Sequence, residues 1–161
     1  IFEKFDDKKN YEENKIIDNS SIRYGILNYV AKYSLASNSY FVTSKCFEHL
    51  NNLGLMKKGK LLRGSKGSKN RFTFEHPIPS NVIADEVIKN IGDKNKIMNI
   101  LRETDLVTVI TYEENDMINR SGYVKKMPIN SLTQKDMFAR YKLSGVEVPT
   151  RRIKVYGAIA R

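Results

Sequence analysis

Glu75 and His76 stand side by side after a short alternating stretch, and Pro77 and Pro79 follow them. Histidine titrates near neutral pH, so a histidine side chain can take a proton from water at pH 7. A neighbouring carboxylate can hold a divalent cation, which polarises a phosphate and stabilises the leaving oxygen. The pair therefore indicates a hydrolytic centre that acts on a phosphodiester. His49 lies in a helical pattern among apolar neighbours, which favours a structural or surface role.

A strongly basic segment, residues 57–71, precedes this pair. Seven of its fifteen residues are Lys or Arg, none is acidic, and three are Gly. Such a flexible loop can neutralise several phosphates of a nucleic acid, although a solvated loop without a partner is the plainer alternative. The candidate DNA-binding residues are Lys57, Lys58, Lys60, Arg63, Lys66, Lys69 and Arg71. Weaker phosphate candidates are Arg140, Arg151 and Arg152.

Further metal ligands could come from a helix that begins at Thr111. Thr111 and Glu114 have the spacing of a capping box, and the β-branched residues 106–110 before them predict a short buried strand. Asn115 and Asn119 are four residues apart and share one helix face, and Asn carbonyl oxygens bind hard cations. An ordinary solvated helix face is the alternative for this Asn pair.

The string Glu75-His76-Pro77-Ile78-Pro79 resembles the first motif of the HNH (His-Me finger, ββα-metal) nucleases. In that family a metal-binding residue precedes the general-base histidine, and a proline often follows three positions later. The resemblance implies Glu75 as a metal ligand, His76 as the base and Pro79 as the following proline. Residues 107–115 resemble the second strand and helix of the same unit, which implies Asn115 and Asn119 as further ligands.

Two features qualify what the resemblance implies. About thirty residues separate His76 from the second strand, so they must form an inserted helical hairpin. The helix carries no histidine, which favours one Mg²⁺ or Mn²⁺ per site over a transition metal.

Composition points to the same class of partner. The chain has 161 residues and a formal net charge of +10, which favours a polyanion, with double-stranded DNA before an anionic membrane. A composition biased toward Lys, Asn and Ile would also produce part of this charge. Cys46 is the single cysteine, so an intrachain disulfide is excluded and a reducing compartment is weakly indicated. No apolar run is long enough to span a bilayer.

The pattern predicts an α+β fold with a helical N-terminal region over residues 1–56. Residues 57–161 would hold the basic loop, a ββα-metal-like core with its helical hairpin, a C-terminal helix from Thr133 and a strand over 153–159. Helices over 21–36 and from a cap at Ser44 allow a helix-turn-helix interpretation or two ordinary packing helices.

We therefore expect a cytoplasmic, metal-dependent DNA endonuclease, with a restriction endonuclease as the first choice. Its oligomeric state, including a homodimer, stays open. An interbacterial toxin domain, released from a longer chain that the start at Ile1 would fit, is the alternative. It would be secreted or delivered and would need an acidic immunity protein. A non-catalytic DNA-binding module and a metal-independent nuclease or base-excising enzyme remain as further alternatives.

Overall fold

The computed structural model describes residues 20–62, 68–129 and 135–155. In those ranges the chain forms six α-helices and one six-stranded mixed sheet, which confirms the α+β prediction. The helices are α1 (Ser20–Leu35), α2 (Ser44–Asn52), α3 (Ser80–Lys89), α4 (Lys94–Glu103), α5 (Tyr112–Arg120) and α6 (Ala139–Ser144). The strands are β1 (Ser39–Val42), β2 (Met56–Lys57), β3 (Lys60–Leu61), β4 (Phe72–Glu75), β5 (Thr108–Thr111) and β6 (Arg151–Val155), and a 3₁₀ turn spans Ser68–Asn70.

The sheet has the strand order β2-β3-β6-β1-β5-β4. β1 runs parallel to β5 and antiparallel to β6, while β3 runs parallel to β6 and antiparallel to β2. β4 closes the other edge as the antiparallel partner of β5. Strands from both predicted regions thus share one sheet, so residues 1–56 do not form a separate helical unit in the part that is described.

The predicted ββα order is present at the β4 edge. β4 pairs with β5, α5 follows β5 directly and contacts both strands, and α3 and α4 form the expected insertion between β4 and β5. Two antiparallel strands joined through a helical insertion, with a helix packed across them, is the architecture that the sequence resemblance implies.

Apolar side chains gather in three clusters around this sheet. One lies among α1, α3 and α4, and a second packs α2 against one sheet face around Tyr40, Val42 and Leu50. The third is smaller and packs α5 and α6 against the opposite face around Ile110 and Tyr141. Among the described helices none is long and apolar enough to cross a membrane.

Helix α5 begins with the capping box that the sequence predicts. The Thr111 hydroxyl accepts a hydrogen bond from the Glu114 backbone N–H at 3.2 Å, and Glu114 Oε2 accepts one from the Thr111 N–H at 2.8 Å. The same carboxylate oxygen accepts a hydrogen bond from the Thr43 hydroxyl at 2.9 Å. Because Thr43 is the cap of α2, the buried carboxylate of Glu114 links the N-termini of α2 and α5, which follow the neighbouring strands β1 and β5.

Several predicted boundaries were wrong. Thr43 rather than Ser44 is the cap of α2, and strands β1, β2 and β3 were not predicted. β1 has only four residues and the other two have two residues each, too few for a periodic pattern to identify. The last strand covers Arg151–Val155, and residues 156–161 lie outside the described ranges, as does the predicted helix start at Thr133.

Replacing Thr111 by Val should lower the free energy of unfolding by about 1–2 kcal/mol, because the cap hydroxyl is lost while size and shape are kept. Urea unfolding of the two proteins measures the difference. Thr73→Val, on the neighbouring strand, is the matched control and should change stability by less than about 0.5 kcal/mol. Equal losses in both variants would contradict the role given to the cap.

Candidate active site

Glu75 and His76 lie where β4 ends, beside the start of β5. Glu75 is the cross-strand partner of Thr108, and Thr108 is in turn the partner of Phe41 on β1. Pro77 and Pro79 follow and lead the chain into α3, whose first residue is Ser80. The strand ends here because proline has no N–H with which to continue the hydrogen bonding between β4 and β5.

Both carboxylate oxygens of Glu75 have close partners on α6. Arg140 Nη1 donates to Oε1 at 2.8 Å, and the Tyr141 hydroxyl donates to Oε2 at 2.6 Å. The side chain of Glu75 is 12% exposed and that of Arg140 is 3% exposed, so water screens this ion pair little. The pair therefore fixes the end of β4 against α6.

Burial sets the protonation of this network. It raises the pKa of Glu75, and the positive charge of Arg140 and the hydrogen bond from Tyr141 oppose that shift. Burial, together with the negative charge of Glu75, raises the pKa of Tyr141 well above its ordinary value. Tyr141 therefore stays a phenol at neutral pH and acts as a hydrogen-bond donor to the carboxylate.

Arg140 also holds the backbone that follows Glu75. The same Nη1 donates to the carbonyl of His76 at 2.8 Å and to the carbonyl of Pro77 at 3.2 Å. The expectation that Arg140 contacts a phosphate is wrong for this structure, because the residue is 2% exposed and its donors face the protein interior. Its observed role is to position the turn that carries His76.

His76 is half-buried, and its imidazole lies beside the Leu106 backbone. Burial lowers the pKa of His76, hydrogen bonding to the Leu106 backbone opposes this, and the charge of Arg140 lowers the pKa further. The ring is therefore neutral at pH 7 and able to accept a proton. His49, in contrast, contacts the Asn70 carbonyl through Nε2 at 2.7 Å, which agrees with a structural role.

Unsatisfied buried polar atoms collect at this end of the sheet. His76 Nδ1, Asp105 Oδ1 and Arg140 Nε lack a hydrogen-bond partner among the described residues. Buried polar atoms are usually hydrogen-bonded, so unpaired ones near each other in the fold mark a place where a water molecule or ligand can bind. Burial also raises the pKa of Asp105, against the influence of Arg152.

The predicted cation site does not fit the observed contacts. Both oxygens of Glu75 already accept a hydrogen bond, and the guanidinium of Arg140 would repel a cation that approached them. Asn115 is half-buried and Asn119 is exposed on α5, and neither bonds to Glu75 or His76 within the described ranges. No group of three or more His, Cys, Asp or Glu side chains placed to hold a metal occurs among the residues that the structure describes.

The predicted DNA-binding residues are spread over two places. Lys57, Lys58 and Lys60 lie on the β2–β3 hairpin, at the far side of the sheet from β4. Lys69 is exposed in the 3₁₀ turn, and Arg71 pairs with Glu113 at 3.0 Å on the surface beside β4. Arg63 and Lys66 lie outside the described residues.

The contribution of α6 could not be identified from the sequence as part of this site. Tyr141 fell within the predicted last helix with no role assigned, and Arg140 was predicted to contact a phosphate. The available signal was an arginine flanked by Ala139 and Tyr141, since an arginine that becomes buried needs an acidic partner.

Comparisons of the chain with protein-family models, with curated proteins and with solved structures gave no match.

Replacing Arg140 by Met should lower the free energy of unfolding by about 3–5 kcal/mol, because Glu75 would be left buried without its cation. Urea unfolding is the measurement. Arg102→Met, on the exposed side of α4, is the control and should change stability by less than about 0.5 kcal/mol. The double variant Glu75→Gln and Arg140→Met should recover part of the lost stability. If Arg140→Met alone were as stable as the control, the stabilising role of the ion pair between Arg140 and Glu75 would be refuted.

Stability should also fall on acidification because of His76. Its pKa is lowered in the folded protein, so the unfolded chain binds more protons once the pH drops below about 6.5. The contribution of the neutral His76 to the free energy of unfolding is complete above that pH, and it is lost as the pH falls toward the lower pKa of the folded state. Urea unfolding at pH 7.5, 6.0 and 5.0 measures it. The loss should be smaller in His76→Asn than in the parent, and identical slopes would count against a lowered pKa.

Proposed function

We propose that the protein hydrolyses phosphodiester bonds in double-stranded DNA, with His76 as the general base. The observation that carries the proposal is the placement of His76 at the end of β4, with a buried Nδ1 that has no hydrogen-bond partner among the described residues. Burial also lowers the pKa of the imidazole, so the ring is neutral at pH 7 and this nitrogen can accept a proton.

The surrounding fold supports the same proposal. His76 follows β4, which pairs antiparallel with β5, and α5 packs across both strands, as the resemblance to the HNH nucleases implies. Arg140 fixes the His76 and Pro77 carbonyls, so the base is held by a rigid turn. Rigid placement supplies much of the catalytic effect of a general base, because the reacting atoms must lie within about 3–3.5 Å of each other.

The proposed step is an in-line hydrolysis. His76 Nδ1 takes a proton from water as the water oxygen forms a bond to phosphorus. The bond from phosphorus to the 3′ oxygen then breaks, and that oxygen receives a proton from solvent. Nδ1 is enclosed although the residue is half-buried, so the step requires a water molecule to reach that buried nitrogen.

A requirement for Mg²⁺ or Mn²⁺ is a separate prediction, and only the sequence resemblance supports it. The observed partners of Glu75 do not leave a carboxylate oxygen free for a cation. We therefore assign no step to a metal. Cleavage that stops on addition of EDTA would show that a cation takes part, and cleavage that persists would favour the metal-independent alternative.

Restriction endonuclease and toxin remain the two biological settings proposed for this activity. Discrete bands from a plasmid digest would favour a restriction enzyme with a recognition sequence. A smear would favour a toxin domain, whose basic charge of +10 suits an acidic immunity protein.

A non-catalytic DNA-binding module is the second candidate. The observation that favours it is the basic β2–β3 hairpin, which follows α2 as a wing follows a helix. This candidate predicts salt-dependent binding of duplex DNA without cleavage under any metal condition.

The parent protein should nick supercoiled plasmid in a buffer that contains Mg²⁺ or Mn²⁺, and His76→Asn should reduce the rate at least about 100-fold, in line with the loss of a general base. Asparagine keeps a side-chain donor for Leu106 but cannot take the proton. Gel quantification of relaxed plasmid measures the rate, and His49→Asn is the matched histidine control. Parental activity in His76→Asn would refute the assignment of the base.

A further inference from the structure

We infer that three lysines on neighbouring strands form a track for a DNA phosphate backbone on one face of the sheet. Lys57 is the cross-strand partner of Lys60, and Lys60 is the partner of Lys154. Residues directly opposite each other in a sheet point to the same face, so these three side chains stand in one row across β2, β3 and β6. We name this row the lysine ladder.

The other face of the same strands is apolar, which fixes the direction of the ladder. Met56, Leu61 and Val155 alternate with the lysines and belong to the cluster that packs against α2. The lysines therefore point away from that core. Lys57 and Lys154 are exposed, and Lys60 is half-buried.

The row places three like charges side by side across the sheet. Like charges placed directly opposite each other on neighbouring strands destabilise a sheet. Within the described ranges, Lys57 and Lys154 form no salt bridge that would offset this repulsion. A lysine on an edge strand can serve to block sheet extension, which accounts for Lys57 on β2. It does not account for Lys60 and Lys154, because β3 and β6 are internal strands.

Two more basic residues enlarge the positively charged surface beside the lysine ladder. Lys58 occupies the turn between β2 and β3 with a φ of 50°, a conformation that Asn or Gly would adopt at lower cost. Arg152 lies two residues before Lys154 and so shares its face, and its guanidinium stacks 4.1 Å above the ring of Phe41. Lys58, Lys60, Arg152 and Lys154 line one shallow groove with Ser39.

The spacing of the ladder suits a polyanion with regular charges. Neighbouring strands are about 4.8 Å apart, so the three lysines span about 10 Å. A DNA strand carries one charge about every 3.4 Å along the helix axis, which places about three phosphates within that span. The row is open to solvent at both exposed lysines, and each member presents an ammonium group, a point charge that pairs with phosphate. Its chemistry is therefore that of a backbone contact without base readout.

The ladder also shares its sheet face with the candidate active site. Glu75, Thr108, Phe41 and Arg152 are successive cross-strand partners, and Arg152 and Lys154 stand on that same face. Three strand spacings, about 14 Å, separate β6 from β4. Helix α6 covers that face over Phe41 and Glu75, so the ladder is the part of the face that stays open to a duplex. The choice of DNA as partner rests on the proposed function.

The test uses the His76→Asn protein, so that cleavage does not enter the measurement. Binding of a fluorescent 25-base-pair duplex of arbitrary sequence is followed by anisotropy between 50 and 200 mM salt. The ladder variant carries Lys57→Gln, Lys60→Gln and Lys154→Gln. Its matched control carries Lys32→Gln, Lys94→Gln and Lys125→Gln, which remove the same charge from exposed positions elsewhere.

The ladder variant should bind at least about tenfold more weakly at 100 mM salt, and its slope of log K against log salt should be shallower by about 2–3, at roughly 0.9 per lost phosphate contact. The control should keep the parental slope. Equal slopes in the ladder variant and the parent would overturn the inference, as would binding only to vesicles that contain phosphatidylserine. Intact binding by a protein that never cleaves would refute the proposed catalysis and leave the ladder standing.

Discussion

An arginine that is 2% exposed must have fixed partners, and Arg140 finds them at the end of β4. Its Nη1 contacts the carboxylate of Glu75 and the carbonyls of the two residues that follow. Tyr141 supplies the second hydrogen bond to Glu75 from the same turn of α6. This network ties the last described helix to a strand that lies more than sixty residues earlier in the chain. The turn with His76 depends on it, since Pro77 leaves few other backbone donors to hold that turn.

The network and the lysine ladder represent two different uses of charge. Around Arg140 the charges are buried, paired and able to position a neutral imidazole, which burial keeps unprotonated at pH 7. On β2, β3 and β6 three lysines stand side by side on one face of the sheet, and we propose that a DNA phosphate backbone offsets their charge. The fold places both on one sheet, so a centre that can take a proton and a surface that can hold a phosphate backbone are parts of one unit.

The sequence predicted the elements whose signals are local. The Thr111 and Glu114 spacing located α5 because the capping box needs only four residues, and the strand of β4 and the helices α3 and α4 followed from periodicity. The two-residue strands β2 and β3 carry no such signal and were missed, as was β1, which lies between two predicted helices. The partners of Glu75 were also beyond reach, because a contact between Glu75 and Arg140 is set by how α6 packs on the sheet. For the same reason Glu75 was predicted to be a metal ligand, although both of its carboxylate oxygens accept hydrogen bonds from α6.

The measurement that tests the central claim most directly is the pH dependence of plasmid nicking under single-turnover conditions. Because only the neutral ring of His76 can take a proton, the rate should stay constant from pH 8 through about 6.5 and fall below that, with a midpoint under the ordinary histidine pKa. The residual rate of His76→Asn should not show this step. A parent rate that is unchanged or rises as the pH falls through this range would contradict the account, and so would the same step in His76→Asn.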